Sequence, residues 1–323
     1  MEQNKSGTMT KLKGFLNDGS LLLVIVILCM YFSVKSPYFF SFKNMMNMLI
    51  SVSVIGIAAT GFTCTLIARG PDLTTGAMMA LSSCMAALLV SHYDMVWYGA
   101  VLVALGTGAL FGLANGLLIT KFQIAPIVVT LGMMSVVRGI AFIFTNGITI
   151  FITEPHLKWF GSGKIFGINA AVIIMILCFL LLSFVTRNTI FGRKIYACGS
   201  NPAASRLAGI KVNGIVTVLF TLSGFLSALA GLVLAGISSA ALPSAADTYN
   251  MDVMTAVLLG GTALTGGEGS VVKTLLGLLI IGIINNGMAL LNVPSYWQTL
   301  AKGALLIIAV VYDRIRRMMQ ATA

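Results

Sequence analysis

Eight polar or charged residues stand where the chain is otherwise apolar: Asp72, Thr74, Asn115, Arg138, Asp252, Asn285, Asn286 and Lys302. Such groups are costly to bury at membrane depth, so each is a candidate for function. Such groups could line a path for a solute. The same groups could instead hold helices together or reach out to the interface. Catalysis fits less well. The sequence offers no Ser/His/Asp or Cys/His set and no pair of carboxylates in a soluble pocket. Its histidines, His92 and His156, are isolated, and its five cysteines show neither a CxxC pair nor metal-ligand spacing. No cofactor or metal is expected on this chain.

Two further segments invite a chemical reading. Gly267-Glu268-Gly269-Ser270-Val271-Val272-Lys273-Thr274 has the outline of a phosphate-binding loop, but Val272 stands where the second glycine belongs. Its side chain would spoil the cradle, and no βαβ context surrounds it, so ATP binding on this chain is not expected. The other segment is Asn201-Pro202-Ala203-Ala204-Ser205-Arg206-Leu207-Ala208-Gly209, which reads as a complete short helix. Asn201 can cap its start, Pro202 suits the first helical position, and Gly209 suits a left-handed stop. At 1.5 Å per residue this helix is only about 10 Å long, too short to span a membrane. A capped helix on a loop suits docking into a groove of a soluble partner. Its small side chains offer few anchors for lying on a membrane.

The elements that must position these groups are membrane spans. Of 323 residues, 58% are hydrophobic and 9% charged, where soluble domains carry roughly 25% charged residues. Apolar runs lie near residues 20–34, 48–68, 73–91, 96–119, 124–145, 169–186, 213–237, 252–265, 271–291 and 296–312. The expected fold is therefore an all-α membrane protein of about ten transmembrane helices, forming one membrane domain over 1–323. The eighth run is short and Gly-rich, which predicts a broken or re-entrant helix. The net charge of +11 resides in short segments between apolar runs. Placing both ends in the cytoplasm puts fourteen of the 20 Lys and Arg residues inside and four outside, the bias that sets membrane topology. Segments 1–19 and 313–323 then become cytoplasmic tails and 186–212 a cytoplasmic loop. No basic helix is interleaved with aromatics, so nucleic acid is not an expected partner.

A faint internal repeat accompanies this topology. Gly112-x-x-Asn115-Gly116, then Pro126, then Arg138-Gly139 matches Gly282-x-x-Asn285-Asn286-Gly287, then Pro294, then Lys302-Gly303. Asp72 and Asp252 precede the two copies. The copies start five spans apart, so they predict a five-plus-five inverted repeat of the kind that builds transporters. The tandem Gly108-x-x-x-Gly112-x-x-x-Gly116 predicts a close helix contact.

The run Gly192-Arg193-Lys194-Ile195-Tyr196-Ala197-Cys198-Gly199-Ser200-Asn201-Pro202-Ala203-Ala204-Ser205-Arg206-Leu207-Ala208-Gly209-Ile210 resembles a motif of bacterial ABC sugar-importer permeases, the family of the ribose, arabinose, xylose and autoinducer-2 systems. Similarity extends over residues 45–313. The resemblance implies a subunit that conducts a monosaccharide or small polyol across the bacterial cytoplasmic membrane. It implies a second permease, a cytoplasmic ABC ATPase carrying ATP and Mg, and a periplasmic or extracellular sugar-binding protein as partners, with lipid around the spans. Asn201, Pro202, Ala203, Ala204, Ser205, Arg206, Leu207 and Gly209 would form the coupling helix that docks the ATPase. Where the family commonly has G-I-D-L-S-V-G and E-L-D-A-I-A-A, this chain has Gly70-Pro71-Asp72-Leu73-Thr74-Thr75-Gly76 and Asn250-Met251-Asp252-Val253-Met254-Thr255-Ala256. The aspartates match while their neighbours differ. An ion-coupled carrier would suit the repeat equally but needs no docking helix. A branched-chain amino-acid ABC permease would share the architecture and differ in substrate.

Overall fold

The computed structural model describes residues 21–321, so the expected tail 1–19 lies outside the described residues. Among the described residues, seven helices are long and apolar enough to cross a membrane: α2 (Phe42–Ile67), α3 (Thr75–Tyr93), α4 (Trp97–Lys121), α5 (Pro126–Thr145), α7 (Ala170–Asn188), α10 (Val212–Ser238) and α12 (Val271–Leu290). Before α2 stands the shorter apolar α1 (Leu21–Lys35). Between the long helices lie α6 (Pro155–Ser162), α8 (Ile190–Ser200), α9 (Pro202–Leu207) and α11 (Tyr249–Leu259), and α13 (Ser295–Ala321) closes the described chain. Short strand pairs are minor features. β1 (Ile150–Phe151) pairs antiparallel with β4 (Ala240–Ala241), and β2 (Lys164–Ile165) with β3 (Ile168–Asn169).

The sequence alone did not reveal α6 or α8, both of which fall in segments read as polar connections. Each has a local cause. Glu154 caps α6 with Pro155 at its first position, and the Thr189 side chain accepts from Gly192 N at the start of α8. The eighth apolar run, placed at 252–265, forms helix only from Tyr249 to Leu259 and then gives way to irregular backbone. Gly261, Gly266 and Gly267 there adopt positive φ, which ends helical hydrogen bonding. Helix α13 runs to Ala321, past residue 312 where the apolar run ends.

From Val52 to Ile67 every residue of helix α2 is buried, as expected of a helix surrounded by others. It packs against α7, α10, α11 and α12, while α10 also packs on α3 and α4. Lipid tails are as apolar as leucine, so burial alone cannot hold these helices together. Small residues and interhelical hydrogen bonds do that work. Gly108, Gly112 and Gly116 lie against α10, and a Cβ at Gly112 would collide with the carbonyl oxygen of Phe220. Thr63 and Thr274 hydroxyls meet at 3.0 Å, joining α2 to α12. Asn44 and Asn286 exchange amide hydrogen bonds of 2.9 and 2.8 Å across the same two helices. Asn286→Leu leaves the Asn44 amide half-satisfied and is expected to cost about 1–3 kcal/mol, read as a lower thermal midpoint in detergent.

Candidate functional site

The connection from α7 to α10 builds a projecting helix from purely local chemistry. Asn201 ends α8 and starts α9, its side-chain oxygen accepting from Ala204 N at 3.0 Å. Pro202 occupies the first turn, and Gly209 at φ +78 closes the helix as Ile210 N donates to Ser205 O at 3.0 Å. Ser205 is the buried member, whereas Asn201, Ala203, Ala204, Arg206 and Leu207 face outward. Leu207 corrects the picture of an exclusively small-residue face, for it is 92% exposed. An apolar side chain of this size thus stands uncovered on the capped turn.

What holds α9 in place is less local. Ile195, Cys198 and Gly199 of α8 are buried against the end of α2. There Arg69 adopts a left-handed backbone at φ +67, uncommon for a side chain of its size. From that position its guanidinium donates to the carbonyls of Gly199 and Ser200, the latter at 2.7 Å. These carbonyls terminate α8, where a cation is favoured by the helix dipole. The loop after α11 completes the junction. Gly267 N donates to Ile67 O at 2.8 Å, and the Tyr196 hydroxyl donates to Gly269 O at 2.9 Å. The glycine-rich run with the outline of a phosphate loop is thus a packing element at this three-way joint. Beside it lies a cavity of about 360 Å³ bordered by Arg69, Gln123, Pro202, Arg206 and Asn213.

The polar residues within the spans sort into four groups. Asp72, Thr74 and Asn115 come together: Asp72 accepts from the Thr74 amide at 3.1 Å and from its hydroxyl, and Asn115 Nδ2 donates to Thr74 Oγ1 at 3.5 Å. Asp72 Oδ2, Asn115 Oδ1 and the hydroxyls of Ser223 and Ser227 are buried outside strict hydrogen-bonding geometry, although the Ser223 hydroxyl stands near enough to Asp72 to act on its carboxyl. Asp252, Asn285 and Lys302 form the second group, with an ion pair of 2.7 Å between Lys302 Nζ and Asp252 Oδ2. The space they line has no room for a water molecule in this conformation. Asn286 belongs to the α2–α12 contact already described. Arg138 lies apart from Asp72. It donates to Pro243 O at 2.6 Å and Ala245 O at 2.7 Å and pairs with Asp247 Oδ1 at 2.6 Å.

Asp247 is a residue that reading the sequence passed over, because it falls in a short polar connection between two apolar runs. The available signal was Pro243 and Asp247 leading into an unusually short span. Among the described residues, no group of three or more His, Cys, Asp and Glu could hold a metal ion.

The family model described as "Branched-chain amino acid transport system / permease component" matches residues 44–310. The chain belongs to this permease family. The permease is 42% identical over 311 residues to the ribose import permease protein of Bacillus subtilis, covering 95% of this chain and 94% of that protein. It is 35% identical over 302 residues to the L-arabinose ABC transporter permease protein of Azospirillum brasilense, covering 94% and 89%. A solved metal-chelate type ABC transporter in an inward-facing conformation shares 16% identity with the permease at a TM-score of 0.51, covering 92% of this chain and 98% of that one. That likeness concerns the fold alone. The permease is a multi-pass membrane transport subunit, and no enzymatic step is assigned to it.

Proposed function

We propose that the permease imports a monosaccharide or related small polyol into the bacterial cytoplasm, driven by ATP hydrolysed on a partner chain. The carrying observation is α9, a capped six-residue helix with Ala203, Ala204, Arg206 and Leu207 outward. It is clamped through Arg69 to the end of the most buried span. An ion-driven carrier has no use for such a device. The named sugars of its relatives, ribose and arabinose, favour a sugar over the branched-chain amino acid in the family description.

In this reading 1–323 is one transmembrane domain with both ends cytoplasmic and α9 on the cytoplasmic side. Helices α1, α11 and α13 join the other seven to make ten spans. The contact pattern supports that sidedness: Arg69, the α8–α9 turn and loop 266–269, all assigned inside from charge, meet at one joint, while β1 and β4, both assigned outside, pair with each other. The five-plus-five repeat finds support in the clusters, since Asp72 lies with Asn115 and Asp252 with Asn285. Two permeases, identical or related, would enclose the pathway. Two cytoplasmic ATPases holding ATP and Mg would grip the α9 helices, and a sugar-binding protein would dock outside. Closure of the ATPases would move α9 as a rigid body, with the Arg69 joint carrying the movement into α2 and loop 266–269 carrying it into α11 and α12.

The test is uptake into lipid vesicles containing the permease, its ATPase and its binding protein. Labelled ribose or arabinose is expected to accumulate only with ATP, and labelled leucine is not expected to accumulate. Sugar uptake driven by an ion gradient without ATP would replace this reading with a secondary carrier.

A further inference from the structure

Irregular backbone cannot face lipid in the hydrocarbon core, because its amide and carbonyl groups would have no partners there. Residues 242–248, between β4 and α11, are irregular, and they stand at membrane depth. Their depth can be read from α5, whose twenty residues measure about 30 Å at 1.5 Å per residue. Arg138, which grips this segment at Pro243, Ala245 and Asp247, lies about 10 Å from the α5 end. Asn250 contacts Met134 at 3.2 Å, about 12 Å from the α5 start. The segment therefore descends from the β1–β4 edge to about the middle of the bilayer.

Nevertheless it is open. Ser244 and Thr248 are exposed, and 60% of the Asp247 side-chain surface is uncovered. On the neighbouring face of α5, Gly132 and Ser135 are also exposed, and nothing approaches the position of a Cβ at Gly132. A carboxylate and irregular backbone left open at this depth require water or polar groups opposite them. The ion pair sets the chemistry of that surface. A lone carboxylate would trap cations, but one neutralised by a guanidinium at 2.6 Å presents acceptor oxygens with little net charge. Such a group hydrogen-bonds neutral hydroxyls.

We infer that residues 244–248 form a wall of the water-filled pathway, and that Asp247, braced by Arg138, accepts hydrogen bonds from the hydroxyls of the passing solute. The solute's class rests on the proposed sugar import, whereas the position of the wall does not.

Two measurements on the complete transporter in lipid vesicles test this. In the first, the five cysteines are replaced and single cysteines are introduced by Ser244→Cys, Asp247→Cys or Thr248→Cys. Each is treated with a charged methanethiosulfonate, which reacts with the hydrated thiolate. All three positions are expected to label at least about tenfold faster than Leu102→Cys and Leu180→Cys, which lie on exposed apolar helix faces. Rates equal to those two controls would overturn the wall. In the second, the native background carries Asp247→Asn. Removing a charged acceptor is expected to slow ATP-dependent uptake of labelled ribose or arabinose about tenfold or more, with unchanged recovery of the assembled complex, and Asp247→Glu is expected to restore much of the rate. Uptake by Asp247→Asn equal to wild type would overturn the role of Asp247. If wild-type vesicles take up neither sugar, the import reading fails while the labelling pattern still decides the wall.

Discussion

Lys302→Met is expected to destabilise the permease by about 3–5 kcal/mol, because it strands a buried carboxylate. Asp252 is 1% exposed, and Lys302 Nζ at 2.7 Å is the partner of its Oδ2, while Oδ1 is buried without one. Methionine preserves much of the packing volume of lysine but cannot compensate the charge. Helix α13 would then lose its tie to α11. The measurable result is a thermal midpoint in detergent lower by roughly 5–10 °C, with a matching loss of folded protein from membranes. The double variant Lys302→Met/Asp252→Leu removes both charges and is expected to recover most of the loss, as buried ion pairs replaced by apolar residues often do. Two additive losses would show instead that the residues act separately.

Gly199→Ala is expected to abolish transport while leaving most of the fold in place. A Cβ at this position would collide with the carbonyl oxygen of Ile67 and approach Gly267 N to 2.6 Å. Both are backbone atoms, so no side-chain rotation can relieve the clash. Helix α8 has to withdraw from α2, which breaks the Arg69 bonds to Gly199 and Ser200 and opens the joint with loop 266–269. Overpacking of this kind costs about 1–3 kcal/mol, and lost charge-assisted hydrogen bonds add about 1.5–3 kcal/mol each. Because the damage is confined to the joint between α9 and the spans, ATP hydrolysis by the assembled complex is expected to persist while sugar uptake falls at least about tenfold. Wild-type uptake in this variant would remove the joint from the coupling route.

The spans were legible because hydrophobic runs report the solvent directly, and the tandem glycines because only close backbones need them at that spacing. Helix α9 was legible for a different reason. Asn201, Pro202 and Gly209 are local signals that act within a single turn. Its neighbour α8 was missed because an amphipathic helix beside a polar loop carries no such punctuation beyond Thr189. The partners of the intramembrane polar residues could not be read at all. Lys302 and Arg138 hold matching places in two similar stretches of sequence, yet one reaches Asp252 and the other Asp247. That choice depends on where the irregular segment after β4 descends, which is set by tertiary packing. The Arg69 joint was likewise invisible, since it unites residues more than a hundred positions apart.

In the proposed mechanism α9 transmits ATPase motion to a sugar pathway. The direct measurement is ATP-dependent sugar uptake by vesicles containing the full transporter with wild-type permease or with Ala203→Arg/Ala204→Arg. Both alanines are exposed, so the substitutions are expected to leave the fold intact and to overfill only the proposed docking face. Normal insertion of the permease with loss of both ATPase binding and uptake is the expected result. ATPase binding and uptake at wild-type levels would contradict it.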